Sequence, residues 1–139
     1  MVLFVEYGHR MALTGAFDQK GTRMSSTDTS APSFADLGRD LLEAADLEVV
    51  TSLVELPPSF QLPTHRHPGE EFAYVIQGAI YYWEHGVDGE CHMPAGSLAK
   101  VPLGAVHSVR TGEDQGAKLV VFRVHTPGAP ERELVDIDD

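Results

Sequence analysis

From Leu47 onward the sequence breaks into apolar runs of ten residues or fewer, each closed by Pro or Gly. Runs of that length cannot supply a helical core, and their spacing is that of a sandwich or barrel of antiparallel strands. Candidate strands cover residues 47–56, 71–77, 79–85, 97–102, 105–110 and 118–125. Between them stand Pro57-Pro58, Pro68-Gly69, Gly78, Gly86 to Gly89, Pro94 to Gly96, Pro102 to Gly104 and Thr111 to Gly116. The expected class is all-β.

The flanks read differently. Residues 18–32 are polar and Ser/Thr-rich, so 1–32 is expected to be a mobile segment, with Met11 and Met24 as alternative starts. Ser33 can cap a short helix over 33–46, in which Phe34, Leu37, Leu41, Leu42 and Ala45 recur at helical spacing. Residues 47–127 form the strand-rich domain, and 128–139 an acidic tail that is either edge strand or disordered. A length of 139 residues suits one such domain.

Charge limits the partners. Ten Lys and Arg against 21 Asp and Glu give a formal charge of −11, which repels phosphate backbones and anionic membranes. No nucleic-acid partner and no membrane are expected. Cys91 is the sole cysteine, so no internal disulfide can form, consistent with a reducing cytoplasm. The opening MVLFVEYGHRM has no positive n-region and only a short apolar run, unlike a signal peptide.

Chemistry concentrates in His65-Arg66-His67, followed by Pro68-Gly69 and Glu70-Glu71. Alternate strand residues share a face, so both imidazoles can converge on one point. Pro68-Gly69 suits the centre of a type II turn, with Gly69 at positive φ. Two imidazoles and a nearby carboxylate on a sheet rim outline a divalent-metal site. Further along, Gly104 permits a tight turn and His107 enters the next strand from it.

These residues resemble the two motifs of the cupin superfamily. His65-x-His67, three residues, Glu71, six residues and Gly78 match the first. Gly96, five residues, Pro102-Leu103-Gly104, two residues and His107 match the second. Two positions depart from the pattern: Ser59 stands where a Gly usually precedes the first motif, and Thr111 stands where an Asn usually ends the second. The resemblance covers roughly residues 47–126 and implies a single-domain cupin with an antiparallel β-barrel or jelly roll. It also implies that His65, His67, Glu71 and His107 hold one divalent transition metal ion: Fe, Mn, Ni, Cu or Zn, with Fe or Mn favoured.

Strand alternation then places the neighbours. An inward Glu71 carries Ala73 and Val75 inward with it, leaving room for an organic ligand, while Val109 shares the face of His107. Arg123 and His125 share a face of the last strand. An inward Arg123 would clamp a substrate carboxylate, although the burial preference of Arg favours an outward, solvated position. Tyr81, Tyr82 and Trp83 are expected mainly in the core, His85 and His92 in solvent, and Cys91 as a small packing residue. The resemblance points to a metal-dependent enzyme on a small organic molecule, foremost a dioxygenase in which Glu71 alternates between ligand and base. A non-oxidative lyase or isomerase, or a non-catalytic binding module, are the alternatives. Single-domain cupins are commonly homodimers, and that assembly is expected here.

Overall fold

A computed structural model describes residues 30–137. Among them lie nine strands and no helix: β1 (Ser33–Leu41), β2 (Glu48–Leu56), β3 (His65–Arg66), β4 (Glu70–Glu84), β5 (Cys91–Pro94), β6 (Leu98–Val101), β7 (His107–Arg110), β8 (Ala117–His125) and β9 (Glu133–Leu134). All pairings are antiparallel, and the main path runs β1-β2-β8-β4-β7-β3-β9, with β5 and β6 also paired to β4. The all-β antiparallel architecture expected from the turn spacing is the one observed.

β4 belongs to both halves of this curled sheet. Its first part pairs with β8 and β6, and its part from Ala79 onward pairs with β5 and β7. The strand switches at a register shift between Val75 and Gln77, followed by Gly78 at φ 76°. A Cβ at Gly78 would lie 2.0 Å from the Gly116 carbonyl oxygen, so the bend requires glycine. Two runs separable in sequence are therefore one bent strand, the usual way a chain turns a corner between packed sheets.

The core is built by alternation. β2 reads buried and half-buried in strict turn, with Val50, Val54 and Leu56 inward. Val54 and Leu56 meet Val75, Ile80, Leu119 and Val121 from β4 and β8. At about 25 cal/mol per Å² of apolar surface removed from water, this shared interior dominates the stability of the sheet.

The helix expected over 33–46 is not formed. Residues 33–41 are instead the edge strand β1, paired with β2 from Ser33↔Glu55 to Leu41↔Glu48 around a bulge at Asp36/Gly38. β2 would otherwise expose a row of unpaired backbone groups, and satisfying them outweighs a weak helical periodicity interrupted by Gly38. Phe34 and Leu41 consequently remain exposed. Of the segment expected to be mobile, residues 1–29 lie outside the described residues. In the acidic tail, β9 pairs with β3, and Val135 N donates to Thr64 O at 3.0 Å. No helix of the described residues is long and apolar enough to cross a membrane.

Candidate metal centre

β3 alternates as its sequence requires: His65 inward, Arg66 outward, and His67 inward just beyond the strand. His65 stands directly opposite His107 on β7. His107 is reached through the turn Pro102 to Ala105, closed by Ala105 N donating to Pro102 O at 3.1 Å, with Gly104 at φ 73°. The ligand-capable atoms of His65, His67 and His107 all lie within 4.8 Å of one another. Ring centroids are 4.3 Å apart for His65 and His107, 4.9 Å for His65 and His67, and 5.2 Å for His67 and His107.

Each ring is fixed from behind. His65 Nδ1 lies 2.7 Å from Pro63 O, His107 Nδ1 2.9 Å from Ala105 O, and His67 Nδ1 2.7 Å from Glu131 O. A carbonyl oxygen can only accept, so each Nδ1 carries the proton and donates it. In neutral rings the three Nε2 atoms then present lone pairs. His67 Nε2 is buried without a hydrogen-bond partner and faces Glu71 Oε2 at 3.0 Å. A lone pair set against a carboxylate oxygen at that distance calls for a cation or a proton between them. The donor set therefore fits a divalent ion.

Electrostatics favour the metal-ready forms. Burial pushes the His65 pKa down to about 4, against a rise from its bond to Pro63 O, and burial likewise lowers His107. Both rings are neutral at pH 7. Burial alone would raise the Glu71 carboxyl, but a proton shared with His67 Nε2 and the Arg123 guanidinium outweigh it and hold the group at about 2, and a cation in place of that proton would act in the same direction.

Arg123 departs from the outward position that its type favours. Its side chain is 13% exposed, and Nε donates to Glu71 Oε2 at 3.0 Å. The reason is register: Arg123 and Glu71 are direct cross-strand partners, so an inward carboxylate recruits the cation opposite it.

A cavity of about 310 Å³ opens beside the histidines. Its wall is largely apolar, from Val54, Leu56, Ile80, Leu119 and Val121, and it also takes in Ala73, Val109 and Arg123. Val75 points to the same side but is fully buried in the core, outside the lining. Tyr82 is a wall residue too: its hydroxyl donates to Glu84 Oε2 at 2.6 Å, and its ring stacks on His107.

Some sequence readings change. The Pro68-Gly69 step is not a type II turn, since Gly69 is absent from the positive-φ residues. A Cβ at Gly69 would stand 1.7 Å from Val124 O, so glycine serves close backbone approach there. Cys91 is exposed, not packed, at the start of β5, an outer strand paired only with β4. His85 and His92 are exposed as expected. Ser59 keeps a left-handed backbone, φ 55°, at the position where the motif usually has Gly. Thr111 is buried, its Oγ1 donating to Pro57 O at 2.6 Å and accepting from Phe60 N at 3.0 Å. Glu131 was not foreseeable as a site residue, because the group that holds His67 is its backbone carbonyl.

A family model for the cupin domain matches residues 52–123, more than half of the chain. Among solved structures, the polyketide cyclase RemF from Streptomyces resistomycificus is 22% identical over 78% of this chain and 73% of its own, with a TM-score of 0.63. The DMSP lyase DddQ from Ruegeria pomeroyi is 20% identical over 86% of this chain and 59% of its own, with a TM-score of 0.62. A cupin-like protein of Thermotoga maritima is 20% identical over 63% of this chain and 64% of its own, with a TM-score of 0.57. The match thus spans less than two thirds of the Ruegeria and Thermotoga chains, and these likenesses concern the fold. A comparison with curated protein sequences gives no match. The family match over 52–123 takes in both motifs and most of the barrel wall, and the chain belongs to the cupin family.

Proposed function

We propose that this cupin is a metal-dependent enzyme acting on a small organic molecule, with His65, His67 and His107 holding one divalent transition metal ion and Glu71 beside it. The observation that carries the reading is the common orientation: all three Nδ1 atoms lie against carbonyl oxygens, and the ligand-capable atoms of the three rings come within 4.8 Å of one another. Bound there, iron or manganese would supply Lewis acidity and access to dioxygen, which makes a dioxygenase the leading form of the proposal. The apolar wall with Ala73 and Val109 would seat the organic part of the substrate and exclude water. Glu71, kept ionised, would add negative charge next to the ion as a further ligand. A carboxyl held at about 2 is a weak proton acceptor, so a base role for Glu71 requires that Arg123 release it.

Tyr82 favours a second reading. A phenol in the cavity wall, stacked on His107 and kept protonated by burial and by its bond to Glu84, would offer a hydrogen-bond donor to the substrate of a non-oxidative lyase or isomerase. The proposal includes a homodimer, with the exposed Phe34 and Leu41 of edge strand β1 as interface material, and a cytoplasmic location consistent with the lone free Cys91.

Elemental analysis of untagged protein and of His65→Ala tests the core of this reading. About one iron or manganese per chain, lost in the variant, supports the metal centre, and substrate-dependent oxygen uptake then supports the dioxygenase. Turnover that proceeds without oxygen moves the assignment to a lyase or isomerase. A tight ligand recovered unchanged marks a binding module. Absence of metal even after reconstitution overturns the enzyme reading.

A further inference from the structure

His67 is held differently from its two partners. His65 and His107 bond carbonyls two residues earlier in their own chain segment, so local backbone fixes them. His67 depends on Glu131 O, 64 positions away, in the segment that follows β8. That segment is tied down at separate points. β9 pairs with β3, Val135 N reaches Thr64 O, and Glu133 takes a two-point contact from Arg66 at 2.9 and 3.0 Å. The Glu131 carboxylate spans two strands, accepting from Arg39 Nη2 of β1 at 2.7 Å and facing Arg123 Nη1 of β8 at 3.6 Å.

Glu131 therefore touches the centre twice through intermediaries. Its carbonyl sets the tautomer and orientation of His67. Its carboxylate helps hold Arg123, the residue that grips Glu71. We propose that Glu131 is a positioning residue of the centre: its side chain, clamped between Arg39 and Arg123, keeps its carbonyl on His67 Nδ1 and so keeps His67 Nε2 turned toward the cluster and Glu71. The acidic C-terminal segment is on this account a working wall of the site. The consequence for metal binding rests on the metal reading above, and the consequence for the His67 ring does not.

Glu131 is 43% exposed on its side chain, so Glu131→Ala can fold, and Glu131→Gln retains an acceptor for the arginines. Glu90→Ala is the control, since it removes an exposed ion pair to Arg110 that does not belong to the centre. The first readout is the ¹⁵N signature of the His67 ring in metal-free full-length protein. Wild type and the control are expected to show a protonated, strongly hydrogen-bonded Nδ1, Glu131→Ala a weakened Nδ1–H hydrogen bond with part of the ring lacking the Nδ1 proton, and Glu131→Gln a signature close to wild type. The second readout is Co(II) affinity by chelator competition, together with the visible spectrum of the Co(II) protein. Loss of an outer-shell partner weakens metal binding by about ten- to a hundredfold, and that loss is expected for Glu131→Ala with a shifted spectrum. By reciprocity, Co(II) should slow amide exchange at Val135 in wild type more than in the variant. A Glu131→Ala protein whose His67 ring stays in the wild-type form overturns the proposal, whatever the metal result. If wild type takes up no Co(II), the metal reading fails while the ring signature still decides the role of Glu131.

Discussion

Glu71 and Arg123 stand directly opposite each other on β4 and β8, and Arg123 Nε donates to Glu71 Oε2 at 3.0 Å in a nearly closed site. The pair couples the stability of the barrel to the charge of a residue in the candidate centre. It also gives Arg123 a task other than binding substrate: its Nε is engaged by Glu71 before any ligand arrives.

Replacing Arg123 by Met should leave Glu71 buried beside an apolar side chain. Breaking one partner of such a pair costs about 3–5 kcal/mol in buried settings, and the partial exposure here places the loss at the lower end, about 3 kcal/mol. Because the folded Glu71 group sits at about 2, below its ordinary 4.5, the stability it contributes is full above 4.5 and fades as pH falls toward 2. In Arg123→Met the carboxyl rises, so the acid limb should begin at higher pH. Urea unfolding of metal-free protein between pH 3 and 8 measures both effects, and an unmoved acid limb would contradict the pairing.

His65 gives a second acid window. The unfolded ring takes a proton near pH 6.5, whereas burial keeps the folded ring neutral down to about pH 4. Metal-free protein should therefore lose stability as pH drops from 6.5 to 4, because the unfolded chain binds the extra proton. His65→Asn, which cannot titrate, should show a shallower fall over that window. Equal slopes for the two proteins would place the acid sensitivity elsewhere.

Strands β2, β4, β6, β7 and β8 and both histidine motifs were legible because their signals are local, alternation with period two and turn residues at fixed offsets, whereas the short β3 and β5 fell outside the expected strands. Helical spacing of Phe34, Leu37 and Leu41 misled because the partner of β1 lies some fifteen residues away, and an exposed edge strand carries little alternation of its own. Arg123 was misplaced by a rule about single residues, where a cross-strand carboxylate decides. β9 and the Glu131 carbonyl left no side-chain pattern to read. Ser59 shows the opposite case, a motif position whose residue changed while its left-handed backbone remained.

Glycine substitutions should separate close approach from backbone freedom. A Cβ at Gly69 meets Val124 O at 1.7 Å, so Gly69→Ala must part β4 from β8 and should cost on the order of 3 kcal/mol. Gly86 has φ 84° and nothing within 4 Å of a Cβ, so Gly86→Ala meets only the left-handed backbone penalty, about 1 kcal/mol. Denaturant midpoints of the two variants should differ clearly. Equal losses would mean that β4 and β8 can part locally without cost.

Ion binding to the folded state alone should appear as thermal stabilisation. At a free Fe(II) or Mn(II) concentration about a hundred times Kd, the gain is about 2.7 kcal/mol, removed again by a chelator. His107→Ala should lose that gain, because the ring pairs across from His65 and supplies one of the three clustered imidazole ligand atoms. The metal-free variant should keep the β-sheet circular dichroism of wild type, since the core of Val54, Val75, Ile80 and Leu119 stands without the ion. Scanning calorimetry with and without metal distinguishes the cases. A full metal-dependent gain in His107→Ala would put the ion at another site, and collapse of the metal-free variant would make His107 a structural member of the fold.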